Sequence, residues 1–480
     1  MDIVWVAAEM APFSKTGGLG DVAGALPRAL AARGHRVLAI SPRYRAVPEA
    51  RELPYTAVVH LFGVDHRVRF HALDRDGVRW LLVDNPCFQR AGIYGDDQGP
   101  YGDNLFRYAL LSRAAIEAAM HVPVDGRPLG QRVVFHVNDW HTGLLPVYLD
   151  AHYRASGRMR AAGVVLGLHN LGHQGSQPAE AFAGLELPPR WFPTVEMGGR
   201  LNPLKAGIVS ADALVAVSPT YSRQIQHDHG FGLESVLRMR SERLVGILNG
   251  IDPSWDPRSD VHLPAHYGPG DLAGKAQCKA ALQRELGLPV RDDVPLLAFI
   301  GRLDHQKGLD LLEGIAPWLL GHDLQLVALG SGASRWQDFL RTLERAAPSR
   351  VRARIGFDEP LAHRIEAGAD VFLMPSRFEP CGLNQLYSMR YGTVPVVHAT
   401  GGLADTVTTV DPARDDGTGW AFPDYDAGSF RRALEFALTT YHRFPGAWRR
   451  IQHNGMTRDS SWNRSAGLYE TVYQRVLGWR

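Results

Sequence analysis

Residues 370–407, DVFLMPSRFEPCGLNQLYSMRYGTVPVVHATGGLADTV, read as two successive strand–loop–helix units. The apolar run 371–374 has the length of a buried parallel strand and is too short for a helix. Residues 384–391 can form the helix after it, and residues 393–397 are a second apolar, β-branched strand. Gly401 and Gly402 then lead into another helix. The stretch therefore predicts an open parallel α/β sheet.

Polar side chains occupy the loops that follow these two strands. They are Arg377, Glu379, Cys381, Thr400 and Asp405. Loops after parallel strands gather at the carboxyl edge of the sheet, where ligands bind. A carboxylate, an arginine and a run of glycine amides suit a ligand that is both polyhydroxylated and phosphorylated. The alternative is two ordinary βα turns that bind nothing.

Length and composition limit the classes of protein to which this chain can belong. A chain of 480 residues is too long for one core and predicts two or three domains. It is 45% apolar and 21% charged with a net charge of +2, which indicates a globular protein without a nucleic-acid or membrane partner. No window reaches the roughly 18 apolar residues of a membrane span, and Met1-Asp2 lacks the basic start of a signal peptide. The three spaced cysteines predict a reducing, cytoplasmic location.

Lysine is rare in this chain, since only five of its 52 basic residues are lysines. A lysine that persists among arginines can mark a site that needs a compact point charge. Lys15, Lys205 and Lys307 stand close to glycines, whereas Lys275 and Lys279 lie in a polar segment and are predicted to be solvated helix residues.

The chain opens with a predicted strand at residues 2–8, a glycine-rich turn and a helix at residues 22–32. The turn, KTGGLGD, is neither of the common phosphate-binding motifs, but bare amides before a helix can hold an anion and Lys15 would add positive charge. Alternatively, it is a tight turn with Asp21 as the helix cap. TGGLGDV at residues 16–22 is echoed by TGGLADTV at residues 400–407, which suggests two similar domains facing one cleft.

Further strands, loops and helices follow the α/β alternation. The predicted strands lie within residues 53–90 and at 133–137, 164–168, 213–217, 294–300, 324–329, 351–357, 371–374 and 393–397. Residues 94–104 are a long loop, residues 174–203 are rich in loops, and residues 249–292 contain the hinge between the domains. Helices are predicted at 105–120, 361–367 and 430–441, with an aromatic helical tail at 460–479.

Two patterns could carry chemistry. Arg302 and Lys307 leave one βα turn five residues apart, which predicts a site for a diphosphate or for charge on a departing phosphate, unless the pair is merely solvated. His136, His141, His169 and His173 lie near strand ends around Asp139. They could be metal ligands, but the spacing matches no known ligand signature. The other interpretation is that His169 and Asp139 contact a substrate. The G-x-S-x-G motif of many serine hydrolases is absent, so serine hydrolase chemistry is not expected.

The order of motifs along nearly the whole chain resembles that of bacterial glycogen synthases and plastid starch synthases. The shared motifs are KTGGLGDV (15–22), NDWHTGLLP (138–146), HN (169–170), LKAGI (204–208), AVSPTYSRQI (216–225), LNGID (248–252), GRLDHQKGLD (301–310), PSRFEPCGLNQLY (375–387) and TGGLADTV (400–407). The resemblance implies two Rossmann-like, doubly wound α/β domains that face a central cleft. The acceptor-side domain would comprise residues 1–248 with the tail 460–480 packed on it, and the nucleotide-sugar-binding domain residues 249–459.

The same resemblance implies a glycogen synthase that transfers glucose from ADP-glucose to the non-reducing end of an α-1,4-glucan, with retention of configuration. Its partners would be ADP-glucose and glycogen or a maltooligosaccharide, with no cofactor and no metal, since no D-x-D motif is present. The choice between ADP- and UDP-glucose stays open at this stage. Two rival functions are a phosphorylase-like enzyme that uses pyridoxal phosphate and a noncatalytic protein that binds glucan or nucleotide sugar.

Carried over by position, the family's motifs imply a set of site residues. The implied catalytic residues are His169, Arg302, Lys307 and Glu379. The implied substrate-binding residues are Lys15, Gly18, Asp21, Tyr94, Asp139, Asn170, Asn249, Gly356, Phe357, Cys381, Gly382, Leu383, Thr400, Gly401 and Gly402. Glu379 is expected to hold sugar hydroxyls, with the leaving phosphate helping to deprotonate the acceptor. Tyr387 stands where many double-domain relatives have a second glutamate, and His173 departs from the family's usual tyrosine.

Overall fold

The computed structural model describes residues 1–480, which form two compact units. The first unit comprises Met1–Gly250 and Trp462–Arg480, and the second comprises Ile251–Ser461. Each unit is built on a mainly parallel sheet flanked by helices. The predicted fold class, two Rossmann-like α/β domains, is therefore confirmed. No helix has both the length and the apolar character that crossing a membrane requires.

The first unit begins with an alternation of strands and helices. Its strands are β1 (Asp2–Val6), β2 (Arg36–Pro42), β3 (Arg51–Leu61), β4 (Val64–Arg75), β5 (Val78–Asp84), β6 (Gly95–Asp96), β7 (Gly99–Pro100), β8 (Val133–Asn138), β9 (Gly163–Leu168), β10 (Gln177–Pro178), β11 (Glu196–Met197), β12 (Arg200–Leu201), β13 (Ala213–Ala216) and β14 (Leu244–Gly246). Its helices are α1 (Gly18–Ala32), α2 (Asn104–His121), α3 (Asp139–Thr142), α4 (Leu145–Tyr148), α5 (Phe192–Val195), α6 (Pro203–Ser210), α7 (Pro219–Gln224) and α8 (Glu234–Met239).

Nine strands of this unit form one sheet in the order β14-β13-β9-β8-β1-β2-β5-β4-β3. The pairs are parallel except that β4 runs antiparallel to both β3 and β5. The chain places β2 on one side of β1 and β8 on the other, so the strand order reverses between β1 and β8. A crevice opens beyond the carboxyl ends of the strands at such a reversal, and ligands bind there.

The second unit is also built on a sheet whose strand order reverses, here with six strands. Its strands are β15 (Leu296–Ile300), β16 (Gln325–Gly330), β17 (Val351–Ile355), β18 (Val371–Met374), β19 (Val394–His398) and β20 (Trp420–Phe422). Its helices are α9 (Ala273–Glu285), α10 (Leu309–Leu320), α11 (Ser334–Ala346), α12 (Glu359–Gly368), α13 (Asn384–Arg390), α14 (Gly401–Thr406), α15 (Ala427–Arg443) and α16 (Pro445–Thr457). The all-parallel order β17-β16-β15-β18-β19-β20 reverses between β15 and β18.

The last helix, α17 (Trp462–Gly478), belongs to the first unit, where it contacts α1, β8 and β9. Its apolar face is part of the same core as Ile3, Trp5 and Leu26. The hydroxyl of Tyr473 lies 2.6 Å from Nδ1 of the fully buried His136 on β8. Helix α17 therefore completes the core against β8 and β9.

Several element boundaries differ from those predicted. Helix α1 begins at Gly18 rather than residue 22, so Asp21 lies inside its first turn and does not cap it. Strand β17 ends at Ile355, and Phe357 beyond it is 79% exposed. The loop-rich segment 174–203 contains the small sheet β10-β12-β11. Helices α11 and α16 were not predicted, although Trp336, Leu340 and Leu343 of α11 are spaced as one face of a helix.

The prediction that Lys275 and Lys279 are solvated is wrong. Both side chains are buried on α9. The ammonium of Lys275 donates to Ala367 O (3.0 Å) and to Thr393 Oγ1 (2.7 Å). Lys279 pairs with Asp370 at 2.7 Å, and the same carboxylate oxygen accepts from the amide of Leu296. A polar-looking helix is thus held in place by buried charge as well as by the apolar packing of Cys278 and Leu282.

We predict that Lys279→Met destabilises the protein by about 3 kcal/mol, because removing one partner of a buried pair leaves the Asp370 carboxylate without its counter-charge. Urea unfolding, followed by tryptophan fluorescence, measures the loss. Arg291→Met is the control, since its ion pairs with Asp293 and Asp323 are at the surface, where solvent screens them. Equal destabilisation by the two variants would contradict the structural role given to Lys279.

Candidate active site

Two loops of the second unit meet where its strand order reverses, one after β15 and one after β18. The side-chain amide of Gln306 donates to Phe378 O (3.1 Å), and the backbone amide of Arg377 donates to Gln306 O (2.8 Å). Gly308 has a φ of +71°, and a Cβ there would lie 1.8 Å from Pro375 O. Only glycine fits this close approach with a positive φ. The two loops are therefore held against each other by backbone geometry.

An ion pair joins the same loops. Lys307 Nζ lies 2.6 Å from Glu379 Oε2, and this oxygen also accepts from the hydroxyl of Ser376 at 3.1 Å. Both side chains are mostly buried, with 19% of the Lys307 side chain and 8% of the Glu379 side chain exposed. The sequence placed both residues among the catalytic candidates but did not predict that they pair. The pair fixes a positive and a negative group at one point of the sheet edge.

Arg302 stands further out on the loop after β15. Its guanidinium lies 3.3 Å from Asp304 Oδ2 and donates to Gln306 Oε1 at 3.0 Å. More than half of this side chain is exposed, which leaves donors facing solvent. Asp304 also caps the single 3-10 turn His305–Lys307 through the amide of Gln306. The structure thus brings Arg302 and Lys307 together, one exposed and one shielded.

The glycines at the start of α14 support the loop that carries Glu379. A Cβ on Gly401, whose φ is +46°, would lie 2.0 Å from Glu379 O, and one on Gly402 would lie 2.1 Å from Cys381 O. The Gly402 amide donates to Glu379 O at 3.1 Å. Because the Gly402 amide already donates to Glu379 O, the main role of the two glycines is to allow this close packing. Thr400 and Cys381 are buried beside them.

Four other predicted residues of this unit lie around the same edge. Gly382 (φ +72°) and the partly exposed Leu383 lead into α13. Gly356 and Phe357 follow β17 and line a cavity of about 360 Å³ together with Arg354 and Asp358. The exposed ring of Phe357 therefore stands beside polar groups rather than in the core, where a strand assignment would have placed it.

In the first unit, Asp139 and His169 lie together at the ends of β8 and β9. The amide of His169 donates to Asp139 Oδ1 at 2.8 Å. Burial raises the pKa of Asp139 to about 7, although the amides of His169 and Asn170 oppose the shift. Asp139 adopts a φ of +53°, which is rare for a residue other than glycine and is tolerated best by Asp and Asn. This strained turn directs its carboxyl towards the strand ends.

Sequence reasoning missed Glu9, which follows β1 on the other side of the strand reversal. Its carboxylate is buried and accepts from the amide and the hydroxyl of Thr16, the latter at 2.9 Å. Burial raises the pKa of Glu9, and burial followed by the charge of Glu9 raises the pKa of Tyr94. A carboxylate directly after a buried central strand was the available signal. Glu9 ties the glycine-rich turn to the end of β1.

Lys15 forms an ion pair with Asp21 across that turn. Its Nζ lies 2.7 Å from Asp21 Oδ1, and both side chains are partly exposed. Gly17 and Gly18 begin α1 beside it. Asn170 accepts from the amide of Gly172 at 3.0 Å and so shapes the turn after β9. Asn249, at the end of the first unit's main segment, is buried, and its Oδ1 has no hydrogen-bond partner.

The four histidines are not arranged to bind a metal ion. His136 is bonded to Tyr473, and His141 packs against the rings of Tyr94 and Tyr108 at 4.9 and 4.8 Å. Burial lowers the pKa of both His136 and His141 well below the ordinary value. No group of three His, Cys, Asp or Glu side chains is placed to hold a metal ion. The geometry favours the interpretation in which His169 and Asp139 face a substrate.

Two families match this chain, over two separate ranges. Residues 2–239 match the starch synthase catalytic domain. Residues 287–449 match glycosyl transferases group 1.

Among curated relatives, starch synthase 1 of Arabidopsis thaliana (chloroplastic/amyloplastic) is 45% identical over 503 residues, covering 99% of this chain and 77% of that protein. Starch synthase 1 of Triticum aestivum is 46% identical over 497 residues, covering 98% and 77%.

Two solved structures are similar in fold. The catalytic domain of starch synthase IV from Arabidopsis thaliana, bound to ADP and acarbose, superposes with a TM-score of 0.90 at 32% identity and 99% coverage of both chains. Sucrose-phosphate synthase from Thermosynechococcus elongatus gives 0.62 at 18% identity over both full chains and is alike in fold alone. Identity of this extent over nearly the whole length shows that the chain belongs to the starch synthase family and is a retaining hexosyltransferase.

Proposed function

We propose that this protein is a glycogen synthase that transfers glucose from ADP-glucose to the 4-hydroxyl at the non-reducing end of an α-1,4-glucan and releases ADP. The observation that carries the proposal is the Lys307–Glu379 pair beside Arg302 at the strand reversal of the second unit. The starch synthase IV structure bound to ADP and acarbose supports the choice of nucleotide and of glucan. A cytoplasmic location is part of the proposal, although the named relatives are chloroplast or amyloplast enzymes.

The reaction first requires that the negative charge on the leaving diphosphate be stabilised. When the bond between the anomeric carbon and the phosphate oxygen breaks, positive charge develops on the sugar and negative charge on the diphosphate. Lys307 supplies a fixed point charge, and Arg302 supplies several exposed donors for phosphate oxygens. Preorganised cations lower the barrier because they need not reorient as the charge develops.

Glu379 is assigned to the sugar rather than to nucleophilic attack. One of its oxygens already accepts from Lys307 and Ser376, which lowers its electron density. The remaining acceptor positions suit the hydroxyls of the donor sugar. The new bond then forms between the anomeric carbon and the acceptor 4-oxygen on the face that the phosphate leaves. The proton of that hydroxyl passes to a leaving phosphate oxygen, so the overall exchange balances without a covalent enzyme intermediate.

In the first unit, one group of residues is proposed to bind the sugar hydroxyls and another group to bind the donor phosphates. Asp139, His169 and Asn170 lie at the ends of β8 and β9 and suit sugar hydroxyls. Lys15, Gly18 and Asp21 lie on the glycine-rich turn and suit the donor phosphates, with Lys15 leaving Asp21 to do so. Tyr94 and Asn249 are proposed to complete the substrate-binding set.

No observation favours the phosphorylase-like alternative, which needs a lysine to carry pyridoxal phosphate. Every lysine of this chain is already engaged in an ion pair or hydrogen bond. The partners are Asp21 for Lys15, Pro193 O and Thr194 O for Lys205, Ala367 O and Thr393 for Lys275, Asp370 for Lys279, and Glu379 for Lys307.

The direct test incubates the protein with maltoheptaose or glycogen and either ADP-glucose or UDP-glucose, and measures chain extension by chromatography. We predict extension with ADP-glucose at the higher kcat/KM and unchanged activity in EDTA, because no residue cluster is placed to hold a metal. Extension with neither donor would refute the proposed function. A loss of activity in EDTA that Mg²⁺ restores would refute the metal-free chemistry.

We predict that Lys307→Ala lowers kcat by roughly 10²-fold or more, because one preorganised contact to developing charge contributes about that much. Arg335→Ala is the control: it removes one positive charge of the same unit, at an exposed site on α11 that pairs with Glu313. Steady-state kinetics and thermal unfolding are measured together. A Lys307→Ala enzyme within a few-fold of wild type would show that the charge does not act in the reaction.

We predict that Cys381→Ser keeps most of the activity, because the proposed reaction has no thiol step and the buried side chain contributes mainly packing. Cys278→Ser, at another buried cysteine of the same unit, controls for the general cost of the substitution. Initial rates at saturating donor provide the comparison. A loss as large as that of Lys307→Ala, in a Cys381→Ser protein that still binds ADP, would assign the thiol a chemical role.

A further inference from the structure

Asn138, the last residue of β8, is fully buried, and its amide orientation is determined by its neighbours. Its Nδ2 donates to the carbonyl oxygen of Val6 at 2.9 Å. A carbonyl oxygen can only accept a hydrogen bond, so the amide nitrogen must face it. The reversed amide would place two acceptors against each other in a buried site, which is costly. The side-chain oxygen of Asn138 therefore points away from β1.

That oxygen lies 2.8 Å from Nε2 of His169. Because an amide oxygen only accepts, Nε2 of His169 must carry the hydrogen. Burial lowers the pKa of His169 to about 4, so the ring is neutral near pH 7. A neutral imidazole with its hydrogen on Nε2 has a lone pair on Nδ1. The tautomer of His169 is thus fixed by the strand next to its own.

Gly167 provides the space that this arrangement needs. A Cβ on Gly167 would lie 2.8 Å from Asn138 Oδ1 and 3.1 Å from His169 Nε2, so any larger residue would separate the two groups. Nδ1 of His169 has no hydrogen bond within the protein, and the residue is partly exposed at the end of β9. The lone pair of Nδ1 is consequently open to a ligand.

We propose that Asn138 is a positioning residue: its amide oxygen keeps the hydrogen of the neutral His169 ring on Nε2, so that Nδ1 is presented as the acceptor for the sugar hydroxyl assigned to His169 under the proposed function. This inference rests on the proposed function for the identity of the ligand. An acceptor without charge selects a hydroxyl, which can donate, over a phosphate oxygen, which cannot. The site at the ends of β8 and β9 therefore recognises a hydroxyl group of the sugar rather than the diphosphate.

The other titratable groups near His169 do not form hydrogen bonds with its ring. His136 and His141 are both neutral, because burial lowers their pKa well below the ordinary value. Asp139 is occupied by the backbone amide of His169, not by its ring. Asn138 is therefore the only side chain that bonds the imidazole ring of His169, and its oxygen decides which nitrogen carries the hydrogen.

The first test reads the tautomer directly in the wild-type protein. Long-range proton–nitrogen NMR spectra of protein labelled with ¹⁵N-histidine distinguish the two neutral tautomers and the charged ring, and a His169→Ala sample identifies the signals. We expect the hydrogen of His169 on Nε2 throughout pH 6–8. A hydrogen on Nδ1, or a charged ring in this range, overturns the proposal.

The second test compares His169→Asn with His169→Gln. The amide of asparagine replaces the Nδ1 position, whereas that of glutamine replaces Nε2. If Nδ1 accepts from the sugar, His169→Gln should lower kcat/KM for ADP-glucose about 10-fold further than His169→Asn, since a lost neutral hydrogen bond has roughly that effect. A purely structural role, in which only the bond to Asn138 matters, predicts the opposite order. Equal values, or higher activity in His169→Gln, overturn the proposal.

Failure of this inference is distinguishable from failure of the proposed function. If the wild-type protein extends no glucan, the function falls, and the NMR spectrum still tests the Asn138–His169 arrangement. If the protein extends glucan but the tautomer or the order of the two variants is wrong, the function stands and the role of Asn138 falls.

Discussion

The candidate site depends on how closely backbone segments approach at the carboxyl edge of each sheet. In the second unit, Gly308 touches Pro375 O and Gly401 touches Glu379 O, at separations where no Cβ would fit. These contacts bring the loops after β15, β18 and β19 into one layer. Lys307 can reach Glu379 only because the backbones beneath them are this close. The ion pair is a consequence of glycine placement as much as of its own attraction.

Buried charge serves two purposes in this chain. Lys279 and Asp370 are buried at the amino ends of β15 and β18, on the opposite edge of the sheet from the candidate site. They pair with each other, and Asp370 also accepts from the amide of Leu296, so they stabilise the fold without a ligand. Lys307 and Glu379 pair in a similar way, but they lie at the carboxyl edge of the same two strands. Position in the sheet, rather than the pairing itself, separates the structural pair from the catalytic candidate.

The sequence predicted the fold class because strand–loop–helix periodicity reports burial directly, as at residues 371–374, which form β18 within the same limits. It also placed Arg302, Lys307 and Glu379 on the correct loops. It could not predict the partners of these side chains, since pairing depends on contacts 72 positions apart along the chain. Nor did it find Glu9 or Asn138, whose neighbours Thr16, Val6 and His169 are brought together only by the folded sheet. The buried lysines of α9 were misjudged because composition carries no information on tertiary partners.

The return of α17 to the first unit bears on the order in which the protein is made. Trp462, Tyr469 and Tyr473 belong to the core formed by β1 and α1, yet they are synthesised after the whole of the second unit. The second unit, Ile251–Ser461, is continuous in sequence and is complete before them. Domains fold as units during synthesis, usually with the N-terminal one first. Here the first unit is begun before the second unit and finished after it, and until then the nascent chain exposes the groove on β8 and β9 that α17 fills.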